Sequence, residues 1–183
     1  MKERKEGHKT AVFTIGHSTM PITELTEIIK TYGIKNVADI RTIPKSGYNP
    51  QFNQDALKES LKAVKIGYLH MKGLGGLRHA LKDSPNTAWR NASFRGFADY
   101  MQTEEFENNL EKLIVAAQKQ QTVIMCAEAV PWRCHRSLIG DALLIRGVTV
   151  IHIMSIDSNR EHTLTPWAKV EGSKITYPSD LAH

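Results

Sequence analysis

The chain is expected to adopt an α/β fold: an open, mostly parallel sheet of about five strands with helices on both faces, plus a small C-terminal hairpin. Two observations carry that expectation. Short β-prone runs recur at residues 11–15, 36–40, 67–71, 122–125 and 148–153, and segments with apolar residues at helical spacing alternate with them. Strands that alternate with helices favour a parallel sheet covered on both faces.

Ala11-Val-Phe-Thr-Ile15 reads as the first strand, ending in Gly16-His-Ser-Thr19. Pro21 suits a first helical turn, Leu25, Ile28, Ile29 and Tyr32 follow on one face, and Gly33 closes the helix. Asn36 to Ile40 forms a second strand with Arg41 at its end. The polar stretch Thr42 to Asn53 is longer than a connection needs, which marks it as a functional loop. Asn53 is expected to cap a helix carrying Leu57, Leu61 and Val64, and Gly67 to Met71 to form a third strand. A glycine-rich stretch from Lys72 to Asn91 leads to a short helix at Phe94 to Met101. Thr103 then caps a stronger helix, with Glu104 and Glu105 in its first turn and Phe106, Leu110, Leu113, Ile114 and Ala117 on one face.

Thr122-Val-Ile-Met125 is the fourth strand, Leu138 to Leu143 a helix stopped by Gly147, and Val148 to Ile153 the fifth strand. Trp167 to Val170 and Lys174 to Tyr177 flank Glu-Gly-Ser as a hairpin. Residues 1–10 are expected to be a flexible N-terminal segment and 11–183 one α/β domain, with 156–183 a hairpin-like extension packed on it.

The composition, 41% hydrophobic and 23% charged over 183 residues, is that of a globular protein with a sizeable core. No apolar run has the length of a membrane span, and the charged opening Met-Lys-Glu-Arg-Lys-Glu lacks the apolar centre of a signal peptide. A cytoplasmic protein without a membrane partner is therefore expected. The formal charge of +5 is uneven: residues 35–95 hold eleven Lys and Arg against four Asp and Glu, and the remainder holds thirteen against fifteen. That excess favours an anionic small molecule or nucleic acid as partner, although a lysine-rich face on the helix after Asn53 supplies part of it. The oligomeric state is left open.

Chemistry concentrates in Cys126-Ala-Glu-Ala-Val-Pro-Trp-Arg-Cys134-His135-Arg136, at the carboxyl end of a strand, where open α/β sheets bind ligands. The same rim of a parallel sheet would carry His17, Ser18, Arg41, His70 and Lys72. The expected catalytic set is Cys126, Glu128, Cys134, His135 and His17; the expected substrate-binding set is Ser18, Arg41, His70, Lys72 and Arg136. A thiol beside helix amides and guanidiniums is stabilised as thiolate, and Cys134, taken to open the helix, is the better candidate. Glu128 is expected to act as base, or to pair with Arg41 or Arg136.

Six residues separate Cys126 from Arg133, one more than in the phosphatase loop. Metal ligation by Cys126, Glu128, Cys134 and His135 is an alternative, weakened because adjacent ligands diverge on a helix and no Cys-x-x-Cys is present. Lys72-Gly-Leu-Gly-Gly-Leu-Arg78 matches neither a P-loop nor a dinucleotide fingerprint, so no cofactor follows from it. Trp89-Arg-Asn91 and Phe94-Arg-Gly96 mix aromatics and cations, which suits either base stacking or a loop pinned by a buried Trp.

Thr14-Ile-Gly-His-Ser18, Val37-Ala-Asp-Ile-Arg41, Asn49-Pro-Gln-Phe-Asn53, Tyr68-Leu-His70 with Leu74-Gly-Gly76, Trp89-Arg-Asn91 with Ser93-Phe-Arg-Gly96, and Cys126-Ala-Glu128 with Cys134-His-Arg136 together resemble the domain of unknown function 488 family. The resemblance runs from about Val12 to Tyr177, and Cys-x-Glu-x5-Cys-His-Arg is its most specific part. It implies an α/β fold of prokaryotic, cytoplasmic type and a shared site at His17, Arg41, His70 and the Cys-Glu-Cys-His-Arg set. It supplies no activity. The chemistry favours an enzyme for an anionic, phosphate-bearing substrate, nucleotide or nucleic-acid related. A non-catalytic nucleic-acid-binding module and a metal-binding protein stand as alternatives, so whether the chain is an enzyme stays open.

Overall fold

The computed structural model describes residues 9–180. Most of the N-terminal segment expected to be flexible, residues 1–8, lies outside them. The main sheet has six strands in the order β3-β2-β4-β1-β5-β6. β1 (Ala11–Gly16), β2 (Asn36–Asp39), β3 (Gly67–His70), β4 (Thr122–Cys126) and β5 (Thr149–Ser155) run parallel. β6 (Ser158–Glu161) returns antiparallel to β5. The small hairpin pairs β7 (Lys169–Glu171) with β8 (Lys174–Thr176).

β6 adds a sixth, antiparallel strand to the five parallel ones expected. All four of its residues are exposed, so it shows no alternation of apolar and polar positions to be read. Asn159, Arg160 and Glu161 instead make it a short polar edge strand, which discourages pairing with another chain.

Alternation across the sheet builds two cores. Phe13, Ile15, Val37, Val123 and Met125 face one side, against Leu25, Ile28 and Ile29 of α1 (Ile22–Thr31) and Leu57 and Leu61 of α2 (Gln54–Ala63). Val12, Ala38, Ile124 and Cys126 face the other. There they meet Phe97 of α3 (Ala92–Tyr100), Phe106, Leu110 and Leu113 of α4 (Glu104–Lys119), and Leu138 and Ile139 of α5 (Arg136–Leu144).

Local signals fix the helix ends. Asn91 and Thr103 accept hydrogen bonds from the first-turn amides of α3 and α4, and Gly33 after α1 and Gly147 after α5 take positive φ. Asn53 precedes α2 as expected but does not cap it with its side chain. That side chain accepts from the Ser46 amide at 2.7 Å and so ties down the long loop instead.

A buried polar chain runs beneath β1 and β5. The Thr14 hydroxyl meets His152 Nδ1 at 2.7 Å, His152 Nε2 meets His162 Nδ1 at 2.9 Å, and His162 Nε2 meets Asp141 at 2.8 Å. Tyr177 donates to the other Asp141 oxygen at 2.7 Å. The Asp141 carboxylate only accepts, so His162 donates from Nε2 and a neutral ring accepts at Nδ1. His152 then donates to His162 and accepts from Thr14. Burial, with His162 and Arg136 adding to it, holds His152 down to about 3.

The unfolded chain protonates this imidazole near pH 6.5 and the folded chain only near 3. Stability present above pH 6.5 is therefore lost as pH falls through that interval, at up to about 1.4 kcal/mol per pH unit for one proton. His17, also depressed by burial, adds in the same direction. We expect denaturant titrations between pH 7 and 5 to show this slope, and His152→Asn, though less stable, to show one shallower by about one proton. Equal slopes in the two proteins would refute the assignment.

Candidate functional site

Register carries chemistry to the middle of the rim. Gly16 lies opposite Cys126 across the β1–β4 ladder, and Asp39 opposite Met125 across β2–β4. Just beyond the strands, the His17 amide donates to the Cys126 carbonyl at 2.9 Å and the Ser18 amide to that of Ala127 at 3.0 Å. A cavity of about 680 Å³ opens over these ends. It is lined by His17, Ser18, Arg41, Cys126, Glu128, Cys134 and His135, by the loop after β2, and by Gly76, Leu77, Ser93, Phe94 and Arg133.

The two cysteines are free thiols, both buried, with their sulfurs 2.8 Å apart. One hydrogen bond joins them. The Cys126 thiol hydrogen-bonds to Cys134 and so holds Cys134 well below the usual thiol range, with His135, whose Nδ1 is 3.5 Å from the sulfur, and Arg136 assisting. The same bond, then burial, and then the negative charge of Cys134 push Cys126 well up. These contacts favour ionisation at Cys134 over Cys126, and not through a helix N-terminus. Cys134 does not open the helix: it follows the 3₁₀ turn Pro131–Arg133 in extended conformation, and α5 starts at Arg136.

Arg41 is 7% exposed and gripped by Asp39 through Nε at 2.9 Å and Nη2 at 2.7 Å, while Nη2 also donates to the Phe52 carbonyl at 2.7 Å. Tyr68 donates to Asp39 at 2.7 Å, and burial followed by that bond raises its pKa. Only Nη1 of Arg41 is turned from the carboxylate, and it lies 3.4 Å from His17 Nε2. His17 donates from Nδ1 to the Ser18 carbonyl at 2.8 Å and stacks on Phe52, with ring centres 4.0 Å apart. Burial lowers its pKa, so a neutral ring presents its Nε2 lone pair to Arg41.

Arg136 is 1% exposed and does not line the cavity. It donates through Nη2 to the carbonyls of Glu128 at 2.6 Å and Ala129 at 3.4 Å, and through Nη1 to Thr14 at 3.5 Å; its Nε has no partner. The expected substrate-binding arginine therefore acts from behind, holding the loop after β4. Glu128 meets the cavity, but it is exposed and engages Arg136 through its carbonyl rather than its carboxylate. Because β4 ends at Cys126, the strand does not carry Glu128 onto the cysteine's side.

His70 and Lys72 are not at the cavity. β3 is the sheet's edge, His70 Nε2 donates to the Arg41 carbonyl at 2.8 Å, and Lys72 is exposed at the start of a 3₁₀ turn. Arg78 likewise turns away, its guanidinium 3.5 Å from the centre of the Tyr100 ring. Outside the expected catalytic and substrate-binding sets, the site also draws on Asp39, Phe52, Lys45, Arg133 and Gly76. Asp39 had a readable signal, an acid two residues before Arg41 at a strand end. Phe52 had none, since its contact with His17 depends on how the loop folds back.

Two glycines are structural requirements of the site. A Cβ on Gly16 would overlap the Glu128 carbonyl, and one on Gly76 would lie 2.6 Å from His135 Nδ1. Among the described residues, no three His, Cys, Asp or Glu side chains converge to hold a metal ion, and no helix is long and apolar enough to cross a membrane.

Among known families, the one described as "Domain of unknown function DUF488" matches residues 21–143. No curated protein and no solved structure matches the chain.

Two outcomes follow from this geometry. Cys126→Ala removes the thiol that donates to Cys134, so the pH dependence of Cys134 alkylation is expected to move upward; an unchanged profile would show that this hydrogen bond does not lower Cys134. Gly16→Ala forces backbone against backbone and is expected to cost at least about 1–3 kcal/mol in denaturant titration, whereas Gly47→Ala, with open space around its Cβ position, should not carry this steric cost.

Proposed function

We propose, for a chain that belongs to the DUF488 family and takes no activity from that membership, that it is a thiol-dependent enzyme acting on an anionic, phosphate-bearing substrate related to nucleotides or nucleic acids. The observation that carries this reading is a cysteine pair with sulfurs 2.8 Å apart, lining a cavity richer in cations than in acids. Arg41, Lys45 and Arg133 line that cavity, against one carboxylate, Glu128.

In this reading Lys45 and Arg133, both exposed, draw the anion in, and the Nη1 edge of Arg41 receives it. Asp39 and the Phe52 carbonyl fix the guanidinium beforehand, so little reorganisation accompanies binding. The Cys134 sulfur attacks the electrophilic atom of the substrate, forming a sulfur–substrate bond as the leaving group departs with its electron pair. Once the negative charge on Cys134 is spent in that bond, the hydrogen bond and the charge that raised Cys126 are gone, and the departing group takes its proton. Water then hydrolyses the intermediate, giving a proton to Cys126 and returning Cys134 as thiolate. His135 beside Cys134 steadies the thiolate, and neutral His17 aligns Arg41 and offers Nε2 as a proton acceptor.

The 2.8 Å sulfur separation favours a second reading on the same site. If the substrate is reducible, Cys126 attacks Cys134 in the intermediate, forming a disulfide and releasing product two electrons reduced. A dithiol reductant must then restore the pair.

Protection from alkylation tests the anion site. Inorganic phosphate and pyrophosphate are expected to slow Cys134 alkylation saturably. The Lys45→Ala, Arg133→Ala double variant should weaken that protection roughly tenfold, in keeping with about 1.5–3 kcal/mol for a charged hydrogen bond. Alkylation indifferent to both anions would count against an anionic substrate. Appearance of a Cys126–Cys134 disulfide during turnover would decide for the reductive course.

A further inference from the structure

All three tryptophans of the chain line a second cavity, of about 310 Å³. The turn Pro131–Arg133 divides it from the first, because Pro131 and Trp132 face the second cavity and Arg133 the cysteine site. Trp132 and Trp167 are 56% and 47% exposed, so large aromatic surfaces are left open at this position. Trp89 meets Trp167 edge-on at 5.3 Å and Tyr177 at 5.4 Å, which fixes its ring. Its indole Nε1 is buried, with no acceptor among the described residues, so the ring meets the cavity through its carbon surface.

The polar groups narrow the ligand. His152 and His162 wall the cavity, but their nitrogens are taken by Thr14, by each other and by Asp141. What remains at the cavity is the hydroxyls of Thr163 and Thr165, the cation Arg160 and the carboxylate Glu161. Aromatic walls accept a flat ring of any base. A hydroxyl donor suits a ring nitrogen, the carboxylate an exocyclic amine, and the guanidinium a phosphate.

We propose that this cavity binds an amine-bearing nucleobase with its phosphate, of the adenine nucleotide type, either as a free nucleotide or as a residue of a single strand. The site is separate from the cysteine cavity and does not rest on the reaction assigned there.

Because every tryptophan lies at this cavity, intrinsic fluorescence excited beyond the nucleotide's own absorption reports binding directly, and calorimetry gives the affinity of each variant. Adenosine monophosphate is expected to quench saturably. Trp132→Ala and Trp167→Ala, both at exposed positions, should each weaken its affinity roughly fivefold or more. Arg160→Ala should weaken adenosine monophosphate and leave adenosine unchanged, and Lys45→Ala, in the other cavity, should leave the tryptophan quenching by both unchanged. A short oligodeoxyadenylate binding more tightly than the mononucleotide identifies the single strand as the source, and the reverse order identifies the free nucleotide. Absence of saturable binding by either probe overturns the proposal. So does binding that survives both tryptophan substitutions but is lost in Lys45→Ala, which would place the nucleotide in the cysteine cavity.

Discussion

A guanidinium buried to 1% exposure, with no carboxylate among the described residues paired to it, is the constraint around which the site is organised. Taking a charge out of water costs several kcal/mol unless other groups compensate. Arg136 is compensated by dipoles and by sulfur. Two backbone carbonyls of the loop after β4 and the Thr14 hydroxyl surround its amino groups. Its positive charge also acts on the cysteines, favouring thiolate at both, and on His17 and His152, disfavouring protonation at both. One side chain thus shapes the loop, the thiolate and two imidazoles.

Geometry follows from the same contact. The Glu128 carbonyl that Arg136 holds occupies the space where a Gly16 side chain would be, so β1 must end in glycine for the loop to close against it. With Gly16 in place, the amides of His17 and Ser18 reach the carbonyls of Cys126 and Ala127, and His17 is delivered to Phe52 and Arg41. Arg41 is organised differently from Arg136. Its carboxylate is local, Asp39 two residues earlier, and an edge of the guanidinium remains turned to His17 and the cavity. A paired arginine at the cavity wall and an unpaired one behind the loop divide the labour between ligand contact and support.

The architecture was largely legible because it is written in local pattern. Strand runs, helical spacing, Thr103 as a cap, and the two terminating glycines each act within a few residues of one another. The location of the site was legible for the same reason, since five parallel strands force their carboxyl ends onto one rim. Roles were not legible, because they depend on which way a side chain turns after its strand stops. Glu128 lies two residues past the end of β4, His70 sits on an edge strand, and Arg136 points under the loop. β6 was invisible for a different reason: an edge strand held by backbone pairing alone needs no apolar alternation.

The missing counter-charge of Arg136 is supplied at a distance. From its Nη1 the hydrogen bonds run through Thr14, His152 and His162 to Asp141, a carboxylate that is itself fully buried. Each neutral link donates toward Asp141 and accepts from the side of Arg136, so the chain is polarised from cation to anion along its whole length. Protonating His152 would insert a second positive charge into that run and remove its acceptor for Thr14, which is why burial and neighbouring charge act together to keep it neutral. The cysteine cavity and the tryptophan cavity therefore sit at two ends of one polar structure: Arg136 braces the first, and the two histidines wall the second. A change in the charge of any link is felt at both.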